Sequence, residues 1–311
     1  MYTHKFLPLL SLSLGLSALR AQDNSLLDKL NDSLIAHQKI SHVTGTFKGL
    51  YIVNTQTVES PAAGVLNFEI QHRFGQLNSG SYNFFGLDNA TLRLGFDYGI
   101  SDRLTIGIGR SSYLKTFDGY LKYKLLIQTD GSNRAPVSIS LLGIASNYTQ
   151  HIPEDSFLNS TYRTSYSAQL LIARKFNTNF SLQLSPTYLH YNLVSTKLDK
   201  SAVFALGLGG RLKITKRMSI DAEYNYLPPN QIVSAKTYNS FSIGWDIETG
   251  GHVFQLVFSN SQSMAETQFI AQSINAVPQA TGNWANGDIY FGFNLSRGFN
   301  LKKKSVTPKN Y

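Results

Sequence analysis

The sequence predicts an all-β fold: a transmembrane, antiparallel, up-and-down β-barrel of about 12 strands, with a short N-terminal helix and a plug segment. Three observations predict it. Strand-like stretches alternate apolar with polar or small side chains, their connections alternate between long and short, and the chain begins like an export signal. In residues 90–100, Leu92 and Phe96 share one parity, whereas Arg93 and Asp97 share the other. Because successive strand side chains point to opposite faces, this strand has one apolar and one charged face.

The first residues have the features of a secretory signal. Lys5 supplies the positive charge, residues 6–19 form a short apolar run, and small residues precede a cleavage site after Ala21. The run is shorter than the roughly 18–20 residues that a membrane-spanning helix needs, and a buried core helix is the alternative. The absence of cysteine from the sequence excludes a lipoprotein anchor and a disulfide framework.

Four regions follow from this organisation. We expect a signal peptide at 1–21, a periplasmic helix and plug segment at 22–62, the barrel at 63–300 and a basic tail at 301–311. In the second region, leucines at helical spacing predict a short amphipathic helix within residues 23–43.

The composition also favours a barrel. Residues 22–311 contain no apolar stretch that could cross a membrane as a helix. The sequence has 17 Tyr, 19 Phe and 24 Gly, yet its mean hydropathy is only −0.15, as expected when half of each strand faces a polar interior. The net charge of +9 does not indicate a nucleic-acid partner, because the basic residues are dispersed and form no basic helix or aromatic–basic stripe.

Alternation marks the strands one by one. We expect them at residues 64–74, 90–100, 103–112, 119–128, 136–147, 165–175, 179–190, 202–214, 218–226, 240–249, 252–258 and 288–299. An even strand number leaves both chain termini on the periplasmic side of an outer membrane, with the long loops outside.

One further strand-like stretch does not fit the wall. In residues 47–59, Asn54 and Gln56 share a parity with Leu50 and Ile52, so neither face is purely apolar. Such a stretch cannot face lipid at low cost. We therefore expect it to lie in the lumen as a plug or to cap its periplasmic mouth.

The inward parity carries a set of charged side chains. They are Glu69, Arg73, Arg93, Asp97, Lys122, Lys124, Arg211, Lys213, Asp221, Glu223 and Asp246. In a narrow barrel such charges either pair into a salt-bridge network that fills the interior or line a selective path. Arg93, Lys122 and Lys124, expected on neighbouring strands, would favour anions if the lumen is open.

Catalysis is the least favoured function. No Ser lies two residues from His72, and His190 and His252 stand alone near strand ends. His151 lies beside Glu154, Asp155 and Ser156 on a long loop, which is an unspecific cluster for nucleophilic chemistry.

Cofactors and metals are not expected either. No metal-ligand spacing occurs. Gly207, Gly209 and Gly210 fall within a strand pattern, so they are expected to make room for inward side chains rather than to cradle phosphate.

Outward and loop positions carry several further expectations. Arg110 has the lipid-facing parity near a strand end, where it can reach headgroups or mark a bulge. Long loops around Phe84 and Phe85 and at residues 264–284 could hold a ligand or partner. An interfacial aromatic girdle is expected from Tyr98, Tyr113, Tyr188, Tyr224, Tyr226 and Trp245.

Several motifs between residues 47 and 128 resemble one known family. In order they are 47–50 (FKGL), 70–75 (IQHRFG), 86–88 (GLD), 93–95 (RLG), 97–100 (DYGI), 109–111 (GRS) and 115–119 (KTFDG). The chain resembles the Bacteroidota β-barrel family that is labelled only as a domain of unknown function. The resemblance implies an outer-membrane location and assigns no substrate, catalytic residue or cofactor.

The sequence thus favours a passive conduit for a small solute. Its main rival is a structural or interaction barrel with a closed lumen, and a lipid-modifying enzyme is the minor alternative. The expected partners are outer-membrane lipids, the barrel-assembly machinery and a small solute.

Overall fold

The computed structural model describes residue 29 and residues 41–130, 135–151, 158–271 and 281–301. The predicted signal peptide, most of the predicted N-terminal helix and the basic tail beyond residue 301 lie outside the described residues.

Twelve antiparallel strands form a closed barrel in which every strand pairs with its neighbours in sequence. The ring closes between the last strand and the first, for example at the pair Leu295 and Ile70. The predicted fold class is therefore confirmed. The strands are β1 (Val65–Gln76), β2 (Ala90–Gly99), β3 (Leu104–Ser111), β4 (Thr116–Leu126), β5 (Ser138–Tyr148), β6 (Thr164–Lys175), β7 (Phe180–Tyr191), β8 (Ala202–Lys213), β9 (Met218–Tyr226), β10 (Ser240–Thr249), β11 (His252–Ser259) and β12 (Tyr290–Asn300).

The barrel is apolar outside and polar inside. On β2, Leu94 and Phe96 are exposed, whereas Arg93 and Asp97 are buried in the lumen. The same parity holds around the ring, and the apolar outer surface far exceeds the patch that a soluble monomer exposes. Among the described residues, no helix has the length and apolar character to cross a bilayer.

The two ends of the barrel differ. At the tight-turn end, strands are joined by residues 100–103, 127–137, 176–179, 214–217 and 250–251, and both described chain ends lie here. At the long-loop end the connections include residues 77–89, 149–163, 192–201, 227–239 and 260–289. In the longest of these, α1 (Glu266–Phe269) is a single helical turn.

One sequence prediction about local structure is wrong, and another lies mostly outside the described residues. Of residues 23–43, which were predicted to contain a short helix, Lys29 is helical, and Ser41–His42 is extended and pairs with Thr129–Asp130 at the tight-turn end. Tyr113 does not join the aromatic girdle. It begins a 3-10 turn, Tyr113–Lys115, directly after β3, and this turn leaves the side chain buried.

Candidate functional site

The lumen is the candidate functional site, and the eleven predicted inward charges lie in it at two levels of burial. Glu69, Arg73, Arg93, Asp97, Lys122, Asp221, Glu223 and Asp246 are buried. Lys124, Arg211 and Lys213 are partly exposed and lie towards the tight-turn end of β4 and β8.

These charges do not form the expected network among themselves. Within the described residues the ion pairs are two, Arg93–Asp118 and Lys48–Glu248. Nor do Arg93 and Lys122 lie on neighbouring strands, since β3 separates β2 from β4. Many wall side chains instead contact the residues 47–59, which enter the lumen and are hereafter called the plug segment.

The plug segment is a tight hairpin whose tip points at the wall. Thr57 N donates to Leu50 O over 2.8 Å, and Ile52 N donates to Thr55 O over 2.8 Å. Residues 51–58 are buried. The turn leaves the amides at the tip without partners inside the hairpin, so the wall must supply acceptors.

Glu223 on β9 supplies them. Its carboxylate accepts from three successive backbone amides, those of Val53 (3.2 Å), Asn54 (3.0 Å) and Thr55 (2.9 Å). Three amides converging on one anion form a strong, charge-assisted contact in a site without bulk water. Glu223 is therefore the main polar anchor of the plug tip.

Neutral amide side chains hold the rest of the plug backbone. Gln183 on β7 donates to Gln56 O over 2.7 Å and accepts from Val58 N over 2.9 Å. Two further carbonyls of the plug each accept one bond, from Gln255 on β11 and Asn294 on β12. These contacts satisfy backbone groups that would otherwise be buried without partners.

Two predicted cations also bind the plug. Lys122 Nζ donates to Thr57 O over 3.1 Å, and Arg73 Nη2 donates to Asn54 Oδ1 over 2.8 Å. Asn54 Nδ2 in turn donates to Ser242 Oγ on β10 over 2.9 Å. Cations from two strands of the wall, β1 and β4, are thus engaged with the plug and do not line an open path.

An apolar strip of the wall completes the contact. Phe47, Ile52, Val53 and Val58 of the plug form one buried cluster with Tyr120, Leu142, Ile144, Leu171, Ala173 and Val257 of the wall. Gly209 on β8 makes room for it, since a Cβ at this position would lie 2.2 Å from Ile52 Cδ1. The expected role of Gly209, room for an inward side chain, is therefore confirmed.

Three of the acidic residues that do not bind the plug, Asp97, Asp246 and Glu69, accept hydrogen bonds from the wall. Asp97 accepts from Tyr120 Oη over 2.8 Å, and Gln255 Nε2 donates to Asp246 Oδ1 over 2.7 Å. Asn67 Nδ2 donates to Glu69 over 3.4 Å. Between the plug and this side of the wall, the described residues leave a cavity of about 20 Å³, room for about one water.

The longest loop closes the other end of the lumen. Residues 261–271, hereafter the inner loop segment, are all described and almost all buried. Tyr191 Oη donates to Thr267 O over 2.6 Å, and Gln268 Nε2 donates to Thr116 Oγ1 over 2.8 Å. This described part of the loop does not lie on the outside, where the long loops were expected, because Phe269 and Ile270 pack against the apolar inner ends of β7 and β8.

The inner loop segment places a carboxyl group in the lumen. Burial raises the pKa of Glu266 to about 8, against the opposing effect of the Arg93 charge. One of its oxygens has no hydrogen-bond partner among the described residues. Glu266 is therefore largely protonated at neutral pH, which lowers the cost of burying it.

The histidines show little sign of a catalytic arrangement. His72 faces outward and stacks on Phe293, with the ring centres 4.9 Å apart. His252 Nε2 lies 3.2 Å from Nη1 of Arg297. The acidic and hydroxyl neighbours predicted for His151, at positions 154–156, lie outside the described residues. Within the described part of the chain, no cluster of His, Asp and Glu side chains could hold a metal ion.

Sequence analysis missed three kinds of residue in this site. Asp118 precedes the strand predicted at 119–128, although it shares the parity of Lys122 and lies within β4. The amides of Gln183, Gln255 and Asn294 carry no charge and resemble ordinary lumen filling. The signal for the inner loop segment was its apolar content, with Met264, Phe269 and Ile270 in a loop expected to face water.

Several solved structures are similar to the barrel at low identity. The NanC porin matches with a TM-score of 0.46, 8% identity and coverage of 75% of this chain and 98% of that chain. The COG4313 outer membrane channel from Pseudomonas putida F1 matches with a TM-score of 0.43 and 15% identity, and the match covers 78% of this chain and 97% of that chain. Outer membrane phospholipase A from Escherichia coli matches with a TM-score of 0.41 and 11% identity, and the match covers 76% of this chain and 91% of that chain. No conclusion about activity follows from likenesses at this level, and no curated protein sequence matches the chain.

The closed ring, its apolar outer face and its occupied polar lumen define a membrane-bound β-barrel that is filled by its own chain. Residues 47–299 match the membrane-bound beta-barrel domain of unknown function DUF5777. The chain belongs to this family. The matched region begins at the plug segment, so it includes the plug as well as the wall.

Proposed function

We propose that this protein is a gated conduit for a small polar solute in the outer membrane, with the tight-turn end in the periplasm. The plug segment is its gate. The observation that carries the proposal is the polar contact between plug and wall, in which Glu223, Gln183 and Lys122 bind the plug backbone. When the plug leaves the lumen, water can enter it. The wall side chains then exchange their hydrogen bonds to the plug for hydrogen bonds to water.

The wall behind the plug supports passage of polar solutes. It presents carboxylates such as Glu69 and Asp246 together with cations such as Arg73 and Lys122. Since Arg93 is paired with Asp118, the described wall strands form no ring of free cations, and we expect weaker anion preference than the sequence alone indicated.

Deletion of residues 47–59 tests the proposal by single-channel recording in planar bilayers. The two ends of the plug segment lie near each other, since Thr46 N donates to Glu59 Oε1 over 2.7 Å, so a short Gly/Ser linker is used to join residues 46 and 60. The inner loop segment is a second seal, so we delete the plug alone and also with residues 262–280 replaced by a short Gly/Ser linker. We expect steady current steps, largest in the double variant, because both obstructions of the polar lumen are then gone.

The control for folding is the heat-dependent shift in gel mobility that intact barrels show. A double variant that keeps this shift but carries no current contradicts the conduit and leaves the closed interaction barrel. Hydrolysis of phospholipid by the wild-type protein in detergent would instead support the enzyme.

A further inference from the structure

A groove interrupts the lipid-facing surface near the long-loop end of β2 to β5. Its volume is about 600 Å³, within the usual range of about 300–1,000 Å³ for small-molecule sites. Its walls and floor are formed by Leu94, Phe96, Ile108, Phe117, Gly119 and Ala145. We call it the outer groove.

Two small residues give the outer groove its depth. Gly119 on β4 pairs with Ala145 on β5, and both have outward parity. A Cβ at position 119 would meet only Gly107 O, at 3.8 Å. A larger side chain at position 119 would therefore not clash with the rest of the fold. It would, however, fill the outer groove.

The upper margin of the groove is polar and positively charged. Arg110 lies there with its guanidinium over the Phe117 ring, 5.3 Å from the ring centre, together with Asn147 and Thr164. Arg110 is in neither of the two ion pairs found in the described residues. An outward arginine is tolerated near the headgroups, where it can reach lipid phosphate.

We propose that the outer groove binds one acyl chain of a phosphate-bearing anionic membrane lipid, with the phosphate on Arg110. The argument is complementarity of both chemistry and position. The apolar walls match a hydrocarbon chain, and the unpaired guanidinium at the headgroup end matches an anion, for which its planar fork is well suited. The site is independent of the proposed conduit, since it lies on the outside of the wall.

Native mass spectrometry of the detergent-solubilised protein tests this inference. The probes are phosphatidylglycerol and diacylglycerol with identical acyl chains, added in equal amounts, so that they differ in the phosphate headgroup. We expect one retained lipid and a preference for phosphatidylglycerol of roughly tenfold, the size of one charge-assisted contact.

Matched variants separate charge from shape. Arg110→Gln should abolish the preference, whereas Arg174→Gln should not, although Arg174 also faces outward and stacks on an aromatic ring, that of Phe176. Gly119→Leu should remove both lipids. Gly143→Leu should remove neither, because Gly143 faces outward with open space around it but does not line the groove.

Ala145→Leu fills the same space from the neighbouring strand, and it replaces Gly119→Leu if that variant fails the gel-mobility test of folding. The inference is overturned if a folded filled variant retains lipid like the wild type. It is equally overturned if Arg174→Gln lowers the preference as much as Arg110→Gln, or if the wild type shows no preference.

Discussion

Replacing Glu223 by alanine should release the plug segment from the wall while the barrel stays closed into a ring. The carboxylate accepts from the amides of Val53, Asn54 and Thr55, and a hydrogen bond to a charged group is worth about 1.5–3 kcal/mol. Losing three such bonds, with partial compensation by water, should destabilise plug docking by about 3 kcal/mol or more. The undocked fraction then rises by more than about 100-fold.

Amide hydrogen exchange measures this release directly. We expect Glu223→Ala to speed exchange in a peptide covering residues 47–59, with little change in peptides from the strands. Glu69→Gln is the matched control, since Glu69 is also buried in the lumen but accepts from Asn67 and not from the plug. Unchanged exchange in Glu223→Ala, or an equal increase in Glu69→Gln, would show that Glu223 is not the anchor.

Asp118→Ala should be the most destabilising single substitution in the barrel wall. Asp118 and Arg93 form a buried ion pair that reaches from β2 to β4 across β3. The two side chains meet over Gly109 of β3, where a Cβ would lie 2.4 Å from Arg93 Nη2 and so would block the contact. Removing one partner leaves a buried, uncompensated guanidinium, which costs about 3–5 kcal/mol.

Denaturant unfolding followed by circular dichroism gives the size of the effect. The control is Glu248→Ala, which breaks the Lys48–Glu248 pair. Its side chains are 31% and 38% exposed, so its loss should cost less than about 1 kcal/mol. The double variant Arg93→Met with Asp118→Leu should recover most of the stability, because it leaves no unpaired charge. If Asp118→Ala costs no more than Glu248→Ala, the ion pair does not stabilise the wall.

The wall could be predicted from the sequence because the two faces of each strand meet different solvents. Leu94 and Phe96 face lipid and Arg93 and Asp97 face the lumen, so a period of two appears directly in the sequence. The same alternation excluded residues 47–59 from the wall, because Asn54 and Gln56 would have placed amide groups in lipid. Strand ends were less certain, as Asp118 shows, because alternation does not mark where a ladder begins.

The contacts inside the lumen could not be predicted in the same way. A plug carbonyl can accept from any donor of suitable length, so Gln183 and Asn294 look no different from other inward polar residues. The inner loop segment has no periodic pattern. Its position depends on the fit of Phe269 and Ile270 to the inner ends of β7 and β8, which only the assembled barrel defines.

The central claim, that the plug segment gates a passage, can be tested by locking the gate. The sequence has no cysteine, so Ile52→Cys with Gly209→Cys introduces a single pair. A Cβ at position 209 lies 3.5 and 3.6 Å from Cγ1 and Cγ2 of Ile52, the positions that a sulfur atom on residue 52 would occupy, so the two sulfur atoms are within reach of each other.

The two cysteine substitutions are combined with the replacement of residues 262–280 by the Gly/Ser linker. The current through this variant in a planar bilayer is recorded first with the disulfide formed and then after a reductant has been added. A gated conduit predicts no current while the disulfide holds the plug and current steps once it is reduced. Current through the oxidised form, or none from the folded protein after reduction, would contradict the account.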